Sequence, residues 1–88
     1  MKVSVSKGFV RAYRKLSKAK QADVDKAISG LFADPMPAAL RLRTMRGSTD
    51  LWIASINKGD RLIGRMIEVD TFELLDVGEH DATYRKWN

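Results

Sequence analysis

The chain has 88 residues, a length that suits one domain (residues 1–88) with a small hydrophobic core. Hydrophobic residues make up 44% of it, which is enough for such a core and argues against intrinsic disorder. Cysteine is absent and there is one histidine, so disulfides, thiolate metal sites and histidine-rich metal sites are excluded. No apolar run approaches the roughly 18 residues that span a bilayer. We therefore expect a cytoplasmic protein with no membrane partner, metal or cofactor.

The formal net charge is +5, and the positive charge is concentrated at the start of the chain. The first 22 residues contain seven basic residues and no acidic one, and Asp23 is the first carboxylate. An amphipathic transit peptide has such a composition, but its removal would leave too little chain for a core. We expect a basic surface that faces a polyanion or an acidic protein partner. Solubility alone is the alternative explanation.

The first half of the chain predicts one strand and two helices. The segment 3–5 is short and β-branched, which favours an edge or first strand, and Ser6 can cap the helix that follows. Apolar residues recur at helical spacing in two stretches. They are Phe9, Val10, Tyr13 and Leu16 in the first, and Val24, Ala27, Ile28, Leu31 and Phe32 in the second. The second helix should end at Asp34-Pro35, and the short joint at 17–20 predicts an antiparallel helical hairpin.

After Leu40 the pattern changes to strands. It favours a strand at 41–46, a turn at 47–50, and strands at 51–57, 61–69 and 72–77. The short loops between the last three runs favour an antiparallel meander, with Trp52 in the core. Residues 81–87 are too few for a helix that is stable alone, so this tail would have to dock through Tyr84 or Trp87. The predicted fold is α+β, with the helical hairpin on one face of an antiparallel sheet of four to five strands.

Four side chains in the second half could act on a phosphate backbone. Arg61 and Arg65 are four residues apart in one strand, so they project from the same face, roughly 13 Å apart. Arginine offers a rigid fork of donors to phosphate oxygens. Histidine, here His80, is the side chain whose unperturbed pKa of about 6.5 permits proton transfer near neutral pH. Tyr84 could stack on a base or hold a reacting group. Together they could support metal-free RNA cleavage, in which the 2′-hydroxyl attacks the adjacent phosphate.

Each of these residues also has a purely structural interpretation. His80 could be a solvated loop residue, and Arg61 could pair with the carboxylate of Asp60 or Asp76. Tyr84 could simply anchor the tail to the core. The spacing of the residues does not by itself decide between the two interpretations.

Three segments form a more specific pattern: FVRAYRKLSKAKQADVDKAISGLFADP, LRTMRGSTDLWIASINKGDRLIGR and VGEHDATYRKW. The last two contain a strand–GDR–strand arrangement followed by V-G-x-H-D-x-x-Y. In these segments, which cover nearly the whole chain, the sequence resembles the RelE/ParE superfamily, the toxins of bacterial type II toxin–antitoxin pairs. The resemblance implies a β-α-α-β-β-β order and a cognate antitoxin. Many members are ribosome-dependent mRNA interferases, and others poison DNA gyrase.

The resemblance also implies roles for single residues. Arg61 matches the family arginine that opens the central strand and stabilises the cleaved phosphate. His80 falls where interferases carry an arginine or histidine, and Tyr84 falls near the family's carboxy-terminal aromatic residue. Two strand lysines of some RelE-type toxins are replaced here by Ile53 and Ser55, so His80 would be the base. Further basic residues are expected to bind RNA: Arg65, Arg46, Arg43, Lys58 and Lys86.

The expected function is therefore that of a toxin that cleaves ribosome-bound mRNA and is held inactive by its antitoxin. The antitoxin should contribute an acidic, partly disordered segment that folds as an amphipathic helix on the basic surface. Two alternatives remain open. One is a gyrase-inhibiting toxin without catalytic chemistry, and the other is a degenerate, non-toxic member that binds RNA or protein.

Overall fold

The computed structural model describes residues 2–48 and 50–87, so Thr49 in the predicted turn at 47–50 lies outside it. The described residues form three α-helices, a 3₁₀ turn and five strands. In order they are β1 (Lys2–Val5), α1 (Lys7–Arg14), α2 (Lys18–Leu31), the 3₁₀ turn (Ala38–Leu40), β2 (Arg43–Thr44), β3 (Leu51–Ser55), β4 (Asp60–Glu68), β5 (Thr71–Glu79) and α3 (His80–Trp87). None of the described helices, the longest of 14 residues, has the length and apolar character that crossing a membrane requires.

Serine caps define where the first two helices begin. The Ser6 hydroxyl accepts the N–H of Phe9 at 3.1 Å, and the Ser17 hydroxyl accepts the N–H of Lys20 at 3.2 Å. Each cap satisfies a backbone donor that has no partner within its helix. Three residues join α1 to α2, which gives the predicted hairpin.

Polar contacts of Tyr13 connect the two helices of the hairpin. Gln21 Nε2 donates to the Tyr13 carbonyl at 3.0 Å, and the Tyr13 hydroxyl donates to Asp25 Oδ1 at 2.8 Å. The hydrogen bond to Asp25 raises the pKa of Tyr13, because it stabilises the protonated phenol. We therefore expect the contact between Tyr13 and Asp25 to weaken when alkaline pH deprotonates the phenol.

The five strands form one sheet in the order β1-β5-β4-β3-β2. Strands β3 to β5 form the antiparallel meander that the short loops predicted, and β2 extends it by pairing antiparallel with β3. Strand β1 joins β5 in parallel, so the sheet is mixed and not wholly antiparallel. A short loop determines the relative direction of two strands that are consecutive in the chain. Strands β1 and β5 are not consecutive, because the helical hairpin and three other strands lie between them. The predicted strand at 41–46 is reduced to Arg43–Thr44, because Arg41 has a left-handed backbone with φ of 46° and a turn closed by the Ser48 N–H and the Met45 carbonyl follows Thr44.

One face of the sheet packs against α1 and α2, which confirms the predicted position of the hairpin. The buried residues of this core include Phe9, Val24, Leu31, Leu62, Phe72 and Leu74. Trp52 is half-buried against them. Gly64 lies where the ring of Phe72 crosses β4, and a Cβ added there would be 2.4 Å from Phe72 Cε2. This close approach explains a glycine in the middle of a central strand.

The opposite face carries a smaller cluster that α3 partly covers. Met45, Ile53 and Ile63 are buried there, and Tyr84 and Trp87 of α3 pack against them. The tail therefore forms a helix that packs against the sheet, although eight residues would not form a stable helix alone.

A β-bulge in β5 determines which side chains reach this second face. Ile63 pairs with Asp76 and Gly64 pairs with Leu74, so Leu75 has no opposite residue in β4. The extra residue inverts the alternation of the strand. As a consequence, Leu74 and Val77 both enter the larger core, and Asp76 faces α3.

Candidate functional site

His80 begins α3 directly after β5. Its backbone N–H donates to the Gly59 carbonyl at 2.8 Å, which ties the start of α3 to the turn between β3 and β4. Its side chain is 45% exposed, and its ring centroid lies 4.4 Å from that of Tyr84, one helical turn further on. Residues four apart on a helix are neighbours, so two of the predicted catalytic residues lie side by side.

Asp81 is the hydrogen-bond partner that the described residues offer to the imidazole of His80. Nδ1 lies 3.1 Å from Oδ1 of the exposed Asp81. When Nδ1–H donates to this carboxylate, Nε2 is the nitrogen that can accept a proton. The geometry is compatible with proton transfer to or from a ligand that approaches the exposed side of the ring.

A groove of about 320 Å³ lies beside His80. Its lining residues are Lys20, Gly59, Asp60, Glu79, His80 and Asp81. Lys20 Nζ is 3.4 Å from Oδ1 of the buried Asp60, whose other oxygen accepts Asn57 Nδ2 at 2.9 Å. With three carboxylates and one lysine, the groove is a poor site for a phosphate. Neither Lys20 nor Asp60 was predicted as a site residue; Asp60 lies beside His80 because it pairs with Glu79 in the sheet.

Arg61 clamps the turn between β3 and β4. Its Nη1 donates to the carbonyls of Asn57 at 2.7 Å and Asp60 at 2.8 Å, with Lys58 at 3.4 Å. Its Nε is buried and has no hydrogen-bond partner within the described residues. The structure therefore does not show the alternative pairing with the carboxylate of Asp60 or Asp76. Because its acceptors among the described residues are neutral carbonyls, the guanidinium of Arg61 retains its net charge.

Arg65 shares a face with Arg61 but differs in its electrostatics. The pairing of β3 with β4 is regular from Leu51–Arg65 to Ser55–Arg61, so both arginines project to the side that α3 partly covers. Arg65 Nε is 3.1 Å from Glu73 Oε1 on β5. This ion pair neutralises Arg65, which makes it a weaker candidate for phosphate binding than Arg61.

The other predicted RNA-binding residues lie on β2, in two turns and on α3. Arg43 Nη1 contacts the Arg41 carbonyl and lies 3.4 Å from Ser55 Oγ. Arg46 and Lys58 are exposed in the turns that follow β2 and β3. Lys86 Nζ is 3.3 Å from Asp76 Oδ2, so its charge is compensated.

The basic residues of the first helix form a separate surface. Lys7, Arg11 and Arg14 are exposed and line, with Val5, Ser6 and Val10, a groove of about 390 Å³. The groove runs beside β1, which is an edge strand of the sheet. The groove therefore combines basic and apolar side chains on one surface.

Over residues 2–48 and 50–87, no three histidine or acidic side chains are grouped so that they could hold a metal ion.

No protein-family model and no curated protein matches the chain by sequence. Solved structures do match. YafQ from E. coli superposes with a TM-score of 0.76 and 15% identity over 93% of this chain and 96% of that one, and a YafQ mutant with a histidine-to-glutamine substitution gives the same values. The E. coli DinJ–YafQ toxin–antitoxin complex superposes with a TM-score of 0.75 and 15% identity over 93% of this chain and 94% of that one. The archaeal RelE–RelB complex from Pyrococcus horikoshii superposes with a TM-score of 0.68 and 21% identity over 89% of this chain and 92% of that one. The chain therefore has the RelE/ParE-like fold of type II toxin–antitoxin toxins, which its sequence predicted.

Proposed function

We propose that the protein is the toxin of a type II toxin–antitoxin pair and cleaves ribosome-bound mRNA in the cytoplasm without a metal ion. The observation that carries this proposal is the placement of His80 against Tyr84 at the start of α3, beside a sheet face on which Arg61 retains its charge. A proton-transfer group and a guanidinium that no described carboxylate neutralises can serve RNA cleavage by 2′-hydroxyl attack, and an aromatic ring can hold the substrate.

The chemistry assigns one task to each part. The 2′-oxygen attacks the adjacent phosphorus while the bond from phosphorus to the 5′-oxygen breaks, which leaves a 2′,3′-cyclic phosphate and a 5′-hydroxyl. His80 accepts the proton of the 2′-hydroxyl or supplies one to the leaving oxygen, a role that typically contributes 10²–10⁴-fold in rate. Arg61 stabilises negative charge on the phosphoryl oxygens. Tyr84 orients the imidazole and can stack on a base.

The antitoxin is the proposed protein partner. YafQ and RelE, which share this fold, have been solved in complexes with DinJ and RelB. In this chain the groove beside α1 offers Lys7, Arg11 and Arg14 together with the apolar Val5 and Val10. An acidic amphipathic segment fits this combination, because its charges pair with the basic residues while its apolar side chains cover the valines.

In vitro translation with mapping of mRNA ends tests the catalytic assignment. We expect His80→Ala to lower the cleavage rate by about 10²–10⁴-fold, and His80→Gln to be nearly as inactive because an amide does not titrate near neutral pH. The exposed Ala82→Ser is the matched control on the same helix and should cleave normally. Tyr84→Phe separates stacking, with a small effect, from a direct role of the hydroxyl, with a large one.

Two outcomes would contradict the assignment. Cleavage at the wild-type rate in His80→Ala would make the histidine a surface residue. Toxicity that persists in this variant together with gyrase-dependent DNA breaks would favour the gyrase-inhibiting alternative.

A further inference from the structure

The turn between β3 and β4 holds both Arg61 and His80 through its backbone carbonyls. Three of the four carbonyls of residues 57–60 accept Nη1 of Arg61, at distances from 2.7 to 3.4 Å. The fourth, that of Gly59, accepts the backbone N–H of His80 at 2.8 Å. The directions of these carbonyls depend on the backbone conformation of the turn, so a group that fixes this conformation also positions Arg61 and His80.

The side chain of Asn57 fixes the conformation of this turn. Its Oδ1 accepts the backbone N–H groups of Gly59 at 2.9 Å and Asp60 at 2.8 Å, the hydrogen bonds of an Asx turn. Its Nδ2 donates to Oδ2 of the buried Asp60 at 2.9 Å and to Oδ2 of Asp23 on α2 at 3.2 Å. One side chain therefore closes the turn and connects it to the helical hairpin.

The amide of asparagine suits these four contacts. Two backbone donors lie on one side of it and two carboxylates on the other, so the position needs an acceptor and a double donor on one planar group. An aspartate would keep the acceptor but would place an oxygen against two carboxylates, and like charges repel at this distance. Asn57 is exposed, so its truncation leaves no cavity in the core. The turn can therefore be perturbed without changing the packing of the core.

We propose that Asn57 is a positioning residue for RNA cleavage, which holds the turn so that Arg61 and the start of α3 keep their places relative to each other. The inference rests on the proposed function and adds a residue that acts through the turn. A displacement of about 1 Å in an active site can cost on the order of 10²-fold in rate. Loss of the Asn57 side chain should therefore slow the chemical step, whereas the charged groups that attract RNA remain in the chain.

Single-turnover cleavage of mRNA on ribosomes, measured at several concentrations of the protein, tests the inference. We expect Asn57→Ala to lower the rate constant at saturation about 10- to 10²-fold and to change the half-saturating concentration less than about 3-fold. Ser48→Ala is the matched control, because Ser48 Oγ accepts the N–H groups of Asp50 at 3.4 Å and Leu51 at 3.1 Å in the turn at the other end of β3. This variant loses a similar pair of hydrogen bonds and should cleave at the wild-type rate.

An exchange of two side chains separates positioning from a general loss of stability. Asn57→Asp places carboxylates against each other and should be as slow as Asn57→Ala. Adding Asp60→Asn restores the pair with donor and acceptor exchanged, since the Asp60 oxygen that contacts Asn57 is not the one near Lys20. The contact with the exposed Asp23 stays unfavourable, so we expect the double variant to recover to within about 5-fold of the wild-type rate constant, the factor for one typical hydrogen bond.

Hydrogen exchange of the His80 amide gives a readout that does not depend on cleavage. It should be faster by about 5-fold or more in Asn57→Ala and unchanged in Ser48→Ala. Wild-type cleavage or unchanged His80 exchange in Asn57→Ala, equal losses of rate in Asn57→Ala and Ser48→Ala, or a double variant no faster than Asn57→Asp would each overturn the inference and leave the proposed function intact. No cleavage by the wild-type chain would instead overturn the proposed function, and with it the catalytic role of Asn57.

Discussion

The hydrogen bond between Trp87 and Asp76 anchors the far end of the helix that carries His80 and Tyr84, and its removal should loosen that helix selectively. Trp87 Nε1 donates to Asp76 Oδ2 at 2.7 Å. Asp76 is 5% exposed, and its other oxygen accepts the N–H of Val77 at 2.8 Å. The substitution Trp87→Phe keeps an aromatic ring in the cluster under α3 but removes the donor.

The expected loss of stability follows from the negative charge of the acceptor, the Asp76 carboxylate. A hydrogen bond to a charged group contributes about 1.5–3 kcal/mol to stability. A helix of eight residues has little stability of its own, so the loss should appear as undocking of α3 while the sheet remains intact. With about 1.4 kcal/mol per factor of ten, the undocked population should rise about 10- to 150-fold.

Hydrogen exchange of the α3 amides measures this population. Protection in α3 should fall by that factor in Trp87→Phe, while the amides of β3 keep their wild-type protection. Lys86→Met is the control, because Lys86 contacts the same carboxylate oxygen at 3.3 Å but its side chain is 67% exposed. Such surface ion pairs contribute about 0–1 kcal/mol, so its α3 protection should change less than about 5-fold. Equal exchange in α3 of wild type and Trp87→Phe, or equal changes in both variants, would refute the reasoning.

Two further predictions concern stability. Gly64→Ala should lower the free energy of unfolding by about 1–3 kcal/mol or more, because its Cβ would meet the ring of Phe72 at 2.4 Å; Gly59→Ala, whose nearest neighbour is 4.0 Å away, should be close to neutral in the same thermal unfolding experiment. The pKa of Tyr13 is raised by its hydrogen bond to Asp25, so the stabilisation is complete below the unfolded pKa of about 10 and is lost as pH rises through the folded value. Wild type should therefore lose more thermal stability than Tyr13→Phe between pH 9 and 11, and parallel curves would contradict this linkage.

The elements of the fold were largely predictable because local signals determine them. Serine caps, helical spacing and short loops are enough to predict the hairpin and the three-strand meander. The direction of β1 was not predictable in this way, since its partner β5 lies at the other end of the chain. The bulge at Leu75 was also missed, because the adjacent apolar Leu74 and Leu75 that mark it are equally usual in a strand buried on both faces.

The candidate site was predictable only in part. The proximity of His80 to Tyr84 follows from their spacing once the tail is known to be helical. The clamp that Arg61 forms on the turn depends on the directions of three carbonyls, which spacing does not encode. The pairing of Lys20 with Asp60, 40 residues apart, arises from the packing of the hairpin on the sheet and has no local signal.

The central position of β5 has a consequence for synthesis of the chain. Strand β5 lies between β1 and β4 and packs against both α1 and α3, yet it is the last strand to be translated. While β5 is still missing, β1 has no strand beside it, and the apolar side of the helical hairpin lacks Phe72, Leu74 and Val77. Contacts between the ends of a chain are also the slowest to form. Completion of this fold must therefore wait for Thr71–Glu79, and a nascent chain exposes apolar surface until that strand is translated.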